Sequence, residues 1–145
     1  MHRPTERFAM LSSVDLCCVP PADVSKVWGL ASGLIRAAID QTKLSEFADI
    51  EKQVLAGEQL LWLAISDRVE AAATTHLIKT DGKPVLVVTA CAGSQRERWI
   101  SLRHQIEAYA KAEGCKSVRL YGRKGWQREL KDYRVEYVIM EKELT

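Results

Sequence analysis

The chain has 145 residues, of which 47% are apolar and 28% charged, with a net charge of +2. That length lets a single domain over 1–145 bury roughly 70% of its unfolded surface, and the composition excludes a disordered chain. No apolar run approaches the ~18 residues of a membrane span. Met1 to Arg7 lacks the apolar core of a secretory leader, so a cytoplasmic location is expected. Cys17 and Cys18 are adjacent, Cys91 and Cys115 isolated, and no pair has C-x-x-C spacing. With histidines only at 2, 76 and 104, no metal site is expected and the cysteines read as small apolar residues.

Residues 1–10 are polar and contain a proline, which predicts a loose arm. Val14–Val19 is a short strand stopped by Pro20-Pro21, and Pro21 suits the first turn of a helix. From Ala22 to Asp40 the apolar residues Val24, Val27, Trp28, Leu34, Ile35 and Ile39 recur at helical spacing. A second helix is expected over Glu46–Ala56, with Ser45 as N-cap, Phe47, Ile50, Val54 and Leu55 as its buried stripe, and Gly57 as its stop. The period then changes. Leu60–Ile65 is a continuous apolar run that fits a central strand, and Val69–Lys79 is a second strand. Asp81-Gly82 is a type I′ hairpin signal, and a strand over 84–92 follows.

A helix is expected from Gln95 to Glu113, with Trp99, Leu102, Ile106, Tyr109 and Ala110 on one face and Gly114 at its C-terminal turn. Ser94-x-x-Glu97 has the pattern of a capping box at its start. Ser117–Tyr121 is the next strand, Trp126–Asp132 a short helix, and Val135–Glu141 a last alternating strand. Charge is uneven along this order. Residues 1–94 carry −2, residues 95–134 carry +6, and the last eleven return to −2. Lys116, Arg119, Arg123, Lys124, Arg128, Lys131 and Arg134 are interleaved with Tyr121, Trp126 and Tyr133. That mix suits either phosphate contacts with base stacking on a nucleic acid or a solvated helix face paired with Glu129 and Asp132.

The order β-α-α-β-β-β-α-β-α-β, with an antiparallel hairpin feeding a strand–helix–strand unit, resembles the GNAT (Gcn5-related N-acetyltransferase) fold from Val14 to Leu144. The stretches Leu55–Asp67, Ile106–Leu120 and Val138–Leu144 carry the resemblance, the last with a Met-x-Lys-x-Leu type ending. The implied class is α/β, a mixed and mostly antiparallel sheet with helices on both faces. The implied cofactor is acetyl-CoA, its pantetheine along strand 84–92 at Val87, Val88 and Thr89. Its diphosphate would sit on the loop Ser94, Gln95, Arg96, Arg98 and Trp99.

In that family the loop reads Gln/Arg-x-x-Gly-x-Gly/Ala. Here the leading position falls at Ser94, and the two glycine positions fall at Glu97 and Trp99. A glycine lets phosphate approach the backbone, whereas Glu97 brings negative charge and Trp99 a large ring. A self-capped helix start would also consume donors that a phosphate needs. Against that, Arg96 and Arg98 could supply side-chain ligands, and Gly93 a shifted nest.

For acyl transfer the resemblance requires a base and a proton donor. Glu70 and His76 are the candidate bases. The family's tyrosine position falls near Leu130, leaving Tyr121 and Tyr133 as substitutes. Two readings follow: an N-acetyltransferase with a degenerate diphosphate loop, or a catalytically silent scaffold. The scaffold would bind a protein partner or itself, as in GNAT-like phage morphogenesis and virion proteins.

Overall fold

The computed structural model describes residues 13–145; the arm expected over 1–10 lies outside them. Its sheet has five strands: β1 (Asp15–Cys18), β2 (Leu60–Ile65), β3 (Val69–Thr80), β4 (Lys83–Gly93) and β5 (Val118–Leu120). They lie side by side in chain order, antiparallel except for β4 and β5, which run parallel. Asp81 and Gly82 both take positive φ, 52° and 73°, as a type I′ turn between β3 and β4 demands.

Alternation along the strands sorts side chains to two cores. Leu61, Leu63, Ala72 and Ala90 pack against α1 (Val24–Thr42) and α2 (Phe47–Leu55), where Trp28, Ala31, Ile35, Ile39, Ile50 and Val54 are buried. Trp62, Ala73, Leu86 and Val88 face the opposite way, onto Ile106 and Ala110 of α3 (Arg103–Ala112). Each fully buried aliphatic side chain contributes about 1.5–3 kcal/mol. Trp62 satisfies its indole N–H on Thr75 Oγ1 at 2.9 Å while its ring meets Tyr109 edge-on. Helices therefore cover both faces of a mixed sheet, as expected. Among the described residues, no helix is long and apolar enough to cross a membrane.

Several local expectations are corrected. Ser45 is not the cap of α2: the chain is still extended at Glu46, whose carbonyl takes the N–H groups of Asp49 and Ile50. Leu55 is 45% exposed, outside the stripe formed by Ile50 and Val54. The long helix expected from Gln95 begins at Arg103, preceded by two 3-10 turns, Arg96–Arg98 and Ile100–Leu102. The capping box does not form. Gln95 is left-handed (φ 50°, ψ 62°), which breaks the helical path between Ser94 and Glu97. Ser94 instead donates its N–H to the Glu70 carbonyl, and its own carbonyl accepts the Trp99 indole N–H. The short helix α4 spans only Trp126–Glu129, and the strand expected over Val135–Glu141 pairs with nothing in the sheet.

Candidate functional site

Two bulges set the geometry of the site. Ala64 pairs with Ala71 and Ile65 with Val69, so Glu70 is the extra residue; Thr74 pairs with Ala90 and Thr75 with Val88, so Thr89 is another. A bulge bends its strand and re-aims the side chain it carries. On the other side of β4, the last rung to β5 is the Tyr121 N–H on the Val88 carbonyl, at 3.1 Å. Pairing between the two strands stops at Val88 and Leu120, and β4 continues to Gly93 with no strand on that flank among the described residues. The strands part at the residue after which Thr89 bulges.

Behind this opening, on the α1–α2 face, lies a polar cavity of about 570 Å³. Val87, Thr89, His76, Gln59 and Tyr121 line it, and Lys43, Glu46 and Asp49 reach it from the α1–α2 connection and the start of α2. Its floor is fixed by a hydrogen-bonded chain. Thr89 has one hydroxyl proton and gives it to Gln59 Oε1 at 2.7 Å, so the Thr74 hydroxyl donates to Thr89 at 2.7 Å. Gln59 in turn donates to Gln53 Oε1 at 2.6 Å. His76 Nδ1 lies 3.3 Å from the Glu58 carbonyl. A carbonyl only accepts, so Nδ1 carries a proton, which in the neutral ring leaves the lone pair on Nε2.

Of the four candidate catalytic residues, the structure brings His76 and Tyr121 to this cavity and holds the other two elsewhere. Glu70 is buried and clamped by Arg98 through two bonds of 2.5 and 2.8 Å. These bonds hold its carboxyl down at about 2, the opposite of what a general base needs near neutrality. Tyr133 donates to Glu107 at 2.7 Å, and burial, with that bond second, raises its phenol above the ordinary range. Cys91 is no nucleophile either, because its apolar surroundings push the thiol up to about 12.

The expected diphosphate loop is a 3-10 turn with both arginines engaged. Arg98 holds Glu70. Arg96 lies over the Trp126 ring at 4.3 Å and meets Glu129 at 3.6 Å. Trp99 does not project into the loop: its ring is buried against Ala64 and Ala71 and tilts against Trp126. The Trp126 ring also abuts Gly122, where an added Cβ would lie 2.5 Å from its Cδ1. Trp126 thus bridges the turn after β4 to the loop after β5, across the mouth of the opening. Gly93 forms no nest. It pairs with Ala71, and a Cβ there would lie 2.5 Å from both Ala71 Cβ and the Glu70 carbonyl oxygen. In the basic stretch, Glu129 and Asp132 pair with Arg96 and Arg103 from outside it. Sequence reasoning overlooked Gln59, Gln53 and Thr74, since an isolated polar residue beside a strand gives no signal of the contact it makes.

The sequence matches no protein-family model, and no curated protein matches it. Solved structures do match in fold. An aminoglycoside acetyltransferase, meta-AAC0020, from an uncultured soil metagenomic sample in complex with sisomicin, superposes with a TM-score of 0.64 at 13% identity, covering 91% of this chain and 97% of that one. The aminoglycoside N-acetyltransferase AAC(6')-Iy in complex with CoA gives 0.62 at 17% identity, covering 91% and 95%. A GNAT family acetyltransferase from Staphylococcus aureus gives 0.60 at 15% identity, covering 91% and 99%. The chain has the fold of the GNAT acetyltransferases.

Proposed function

We propose that this protein is an acetyl-CoA-dependent N-acetyltransferase acting on a small amine held in the polar cavity. The observation that carries the reading is the parting of β4 and β5 beyond the Tyr121–Val88 rung, directly beside His76, Thr89 and Tyr121. In this reading the pantetheine would lie along β4 beyond Val88, where pairing with β5 ends. The diphosphate end fits less well. The N–H groups of Gln95, Arg96 and Glu97 make no backbone hydrogen bond among the described residues, but Glu97 opposes an anion and Arg96 must leave Trp126 to meet one.

Acetyl-CoA, when bound, supplies a thioester carbonyl. Glu46 and Asp49 at the rim favour a cationic amine, which must lose a proton before it attacks. His76 Nε2 takes that proton while Nδ1–H stays on the Glu58 carbonyl. For the departing thiolate the Tyr121 hydroxyl would be the proton donor, and the amine's second proton would restore it. Thermal melting with millimolar CoA tests binding, because a ligand at 100 times its Kd stabilises by ~2.7 kcal/mol. Thiol release with a panel of small amines tests turnover. His76→Ala and Tyr121→Phe should each lower kcat by about 10²-fold or more while CoA still raises the Tm. Turnover unchanged in both variants refutes the assignment.

A second reading, a catalytically silent scaffold, draws support from one observation: both loop arginines are already engaged, on Glu70 and on Trp126 with Glu129. No upward shift with CoA would select it. A phage-assembly or virion role has no residue here that speaks for it.

A further inference from the structure

A second cavity backs onto the polar one. It holds about 80 Å³ on the α3 face, and Val88, Cys91, Trp99, Leu120, Trp126 and Leu130 are among the residues that line it. Val88 and Leu120 are the last pair of the β4–β5 ladder, and their neighbours Thr89 and Tyr121 line the polar cavity. Successive strand residues point to opposite faces, so the two spaces adjoin where the strands part. Trp126 lines the apolar space and is only half-buried, so its ring stands between that space and solvent.

Two features hold the ring there. Gly122 seats it: an added Cβ would lie 2.5 Å from Cδ1, 3.1 Å from Nε1 and 3.3 Å from Cγ, so a side chain at 122 would push the ring off. Arg96 stacks on it at 4.3 Å and reaches Glu129 at 3.6 Å, which ties the segment to the turn after β4. The backbone adds nothing to this hold. Among the described residues, every backbone hydrogen bond beyond the Tyr121–Val88 rung closes within 123–133, as from Trp126 to Arg123 and from Leu130 to Trp126. The far end of the segment is fixed to α3 by Arg103–Asp132 and Tyr133–Glu107. A segment held by side chains alone opens at a lower free energy than the sheet beside it.

We propose that Trp126 is an autoinhibitory gate: in the free chain its ring closes the gap where β4 and β5 part, and the incoming acyl donor displaces it. The gate rests on the acetyl-CoA reading and adds an exchange at Arg96. Closed, Arg96 is held by the Trp126 ring and Glu129. Open, the same guanidinium is released beside the loop that faces the donor's phosphates. One movement thus uncovers the donor's path and frees a cation for its charge, and the closed population lowers the apparent affinity in proportion.

Calorimetry with CoA compares wild type with Gly122→Ala, which unseats the ring, and Trp126→Ala, which removes it; neither changes the charge. Each should bind about tenfold tighter, as a closed fraction of about nine-tenths requires. Arg96→Ala should lose more affinity in the Trp126→Ala chain than in wild type, where it also loosens the gate. In isotope-labelled protein the Trp126 indole N–H signal, identified by its loss in Trp126→Ala, should move in Gly122→Ala without ligand and in wild type when CoA is added. If either variant binds CoA no tighter than wild type, or CoA binds and leaves that signal unmoved, the gate is overturned and the transferase reading stands. A ring that only packs the fold would give that result, with a lower Tm and weaker binding together. No binding by any of these chains overturns both readings.

Discussion

Gly93 separates two roles for the strand–turn junction, strand packing or phosphate contact. An alanine Cβ at this position would lie 2.5 Å from Ala71 Cβ, 2.5 Å from the Glu70 carbonyl oxygen and 2.8 Å from Ala71 Cα. Ordinary contacts begin about 1 Å farther out, and two of these atoms are backbone, so β3 or β4 must move. Overpacking of this kind costs about 1–3 kcal/mol. For a chain of this size that lowers the Tm by roughly 3–10 °C. Gly33→Ala is the control. Gly33 is exposed in α1 with nothing within 4 Å of an added Cβ. There alanine should stabilise by about 0.5–1 kcal/mol through helix propensity, raising the Tm by roughly 2–3 °C. Thermal and urea unfolding of both variants, with wild type, give the comparison. A Gly93→Ala protein as stable as wild type refutes the packing argument. If that protein also lost CoA binding, Gly93 would belong to a phosphate nest instead.

Two further outcomes follow from the same junction. Glu70 has its carboxyl lowered from 4.5 to about 2 by the Arg98 bonds, so the folded state binds fewer protons there than the unfolded chain. Its stabilisation is complete above about pH 4.5 and disappears as pH falls toward 2. Tm measured from pH 6 to 2.5 should therefore fall less steeply in Glu70→Gln than in wild type, and parallel curves would count against the pair. Arg96→Ala should weaken CoA binding about tenfold, one charge-assisted contact's worth. Unchanged affinity by calorimetry would move the diphosphate away from Arg96.

The elements with one dominant periodicity were legible. Val24, Trp28, Ile35 and Ile39 announce α1, and Leu60–Ile65 announces a buried strand, because burial on one or both faces writes itself into residue spacing. The run from Ser94 to Leu102 misled for the same reason. It carries helical spacing and a capping pattern, yet the left-handed Gln95 and the Arg98–Glu70 clamp turn it into two 3-10 turns. Val135–Glu141 has strand alternation, but alternation does not supply the neighbouring edge a strand needs.

Sequence alone determined the class of fold, since that depends on which residue types recur at which spacing. The tertiary structure decided which candidates meet. Glu70 and His76 lie on one strand, but the bulge at Glu70 turns it to Arg98, while His76 shares a cavity with Tyr121, 45 residues farther on. Such pairings depend on register, bulges and the angle at which two strands part. Those are properties of the assembled sheet that no local pattern encodes.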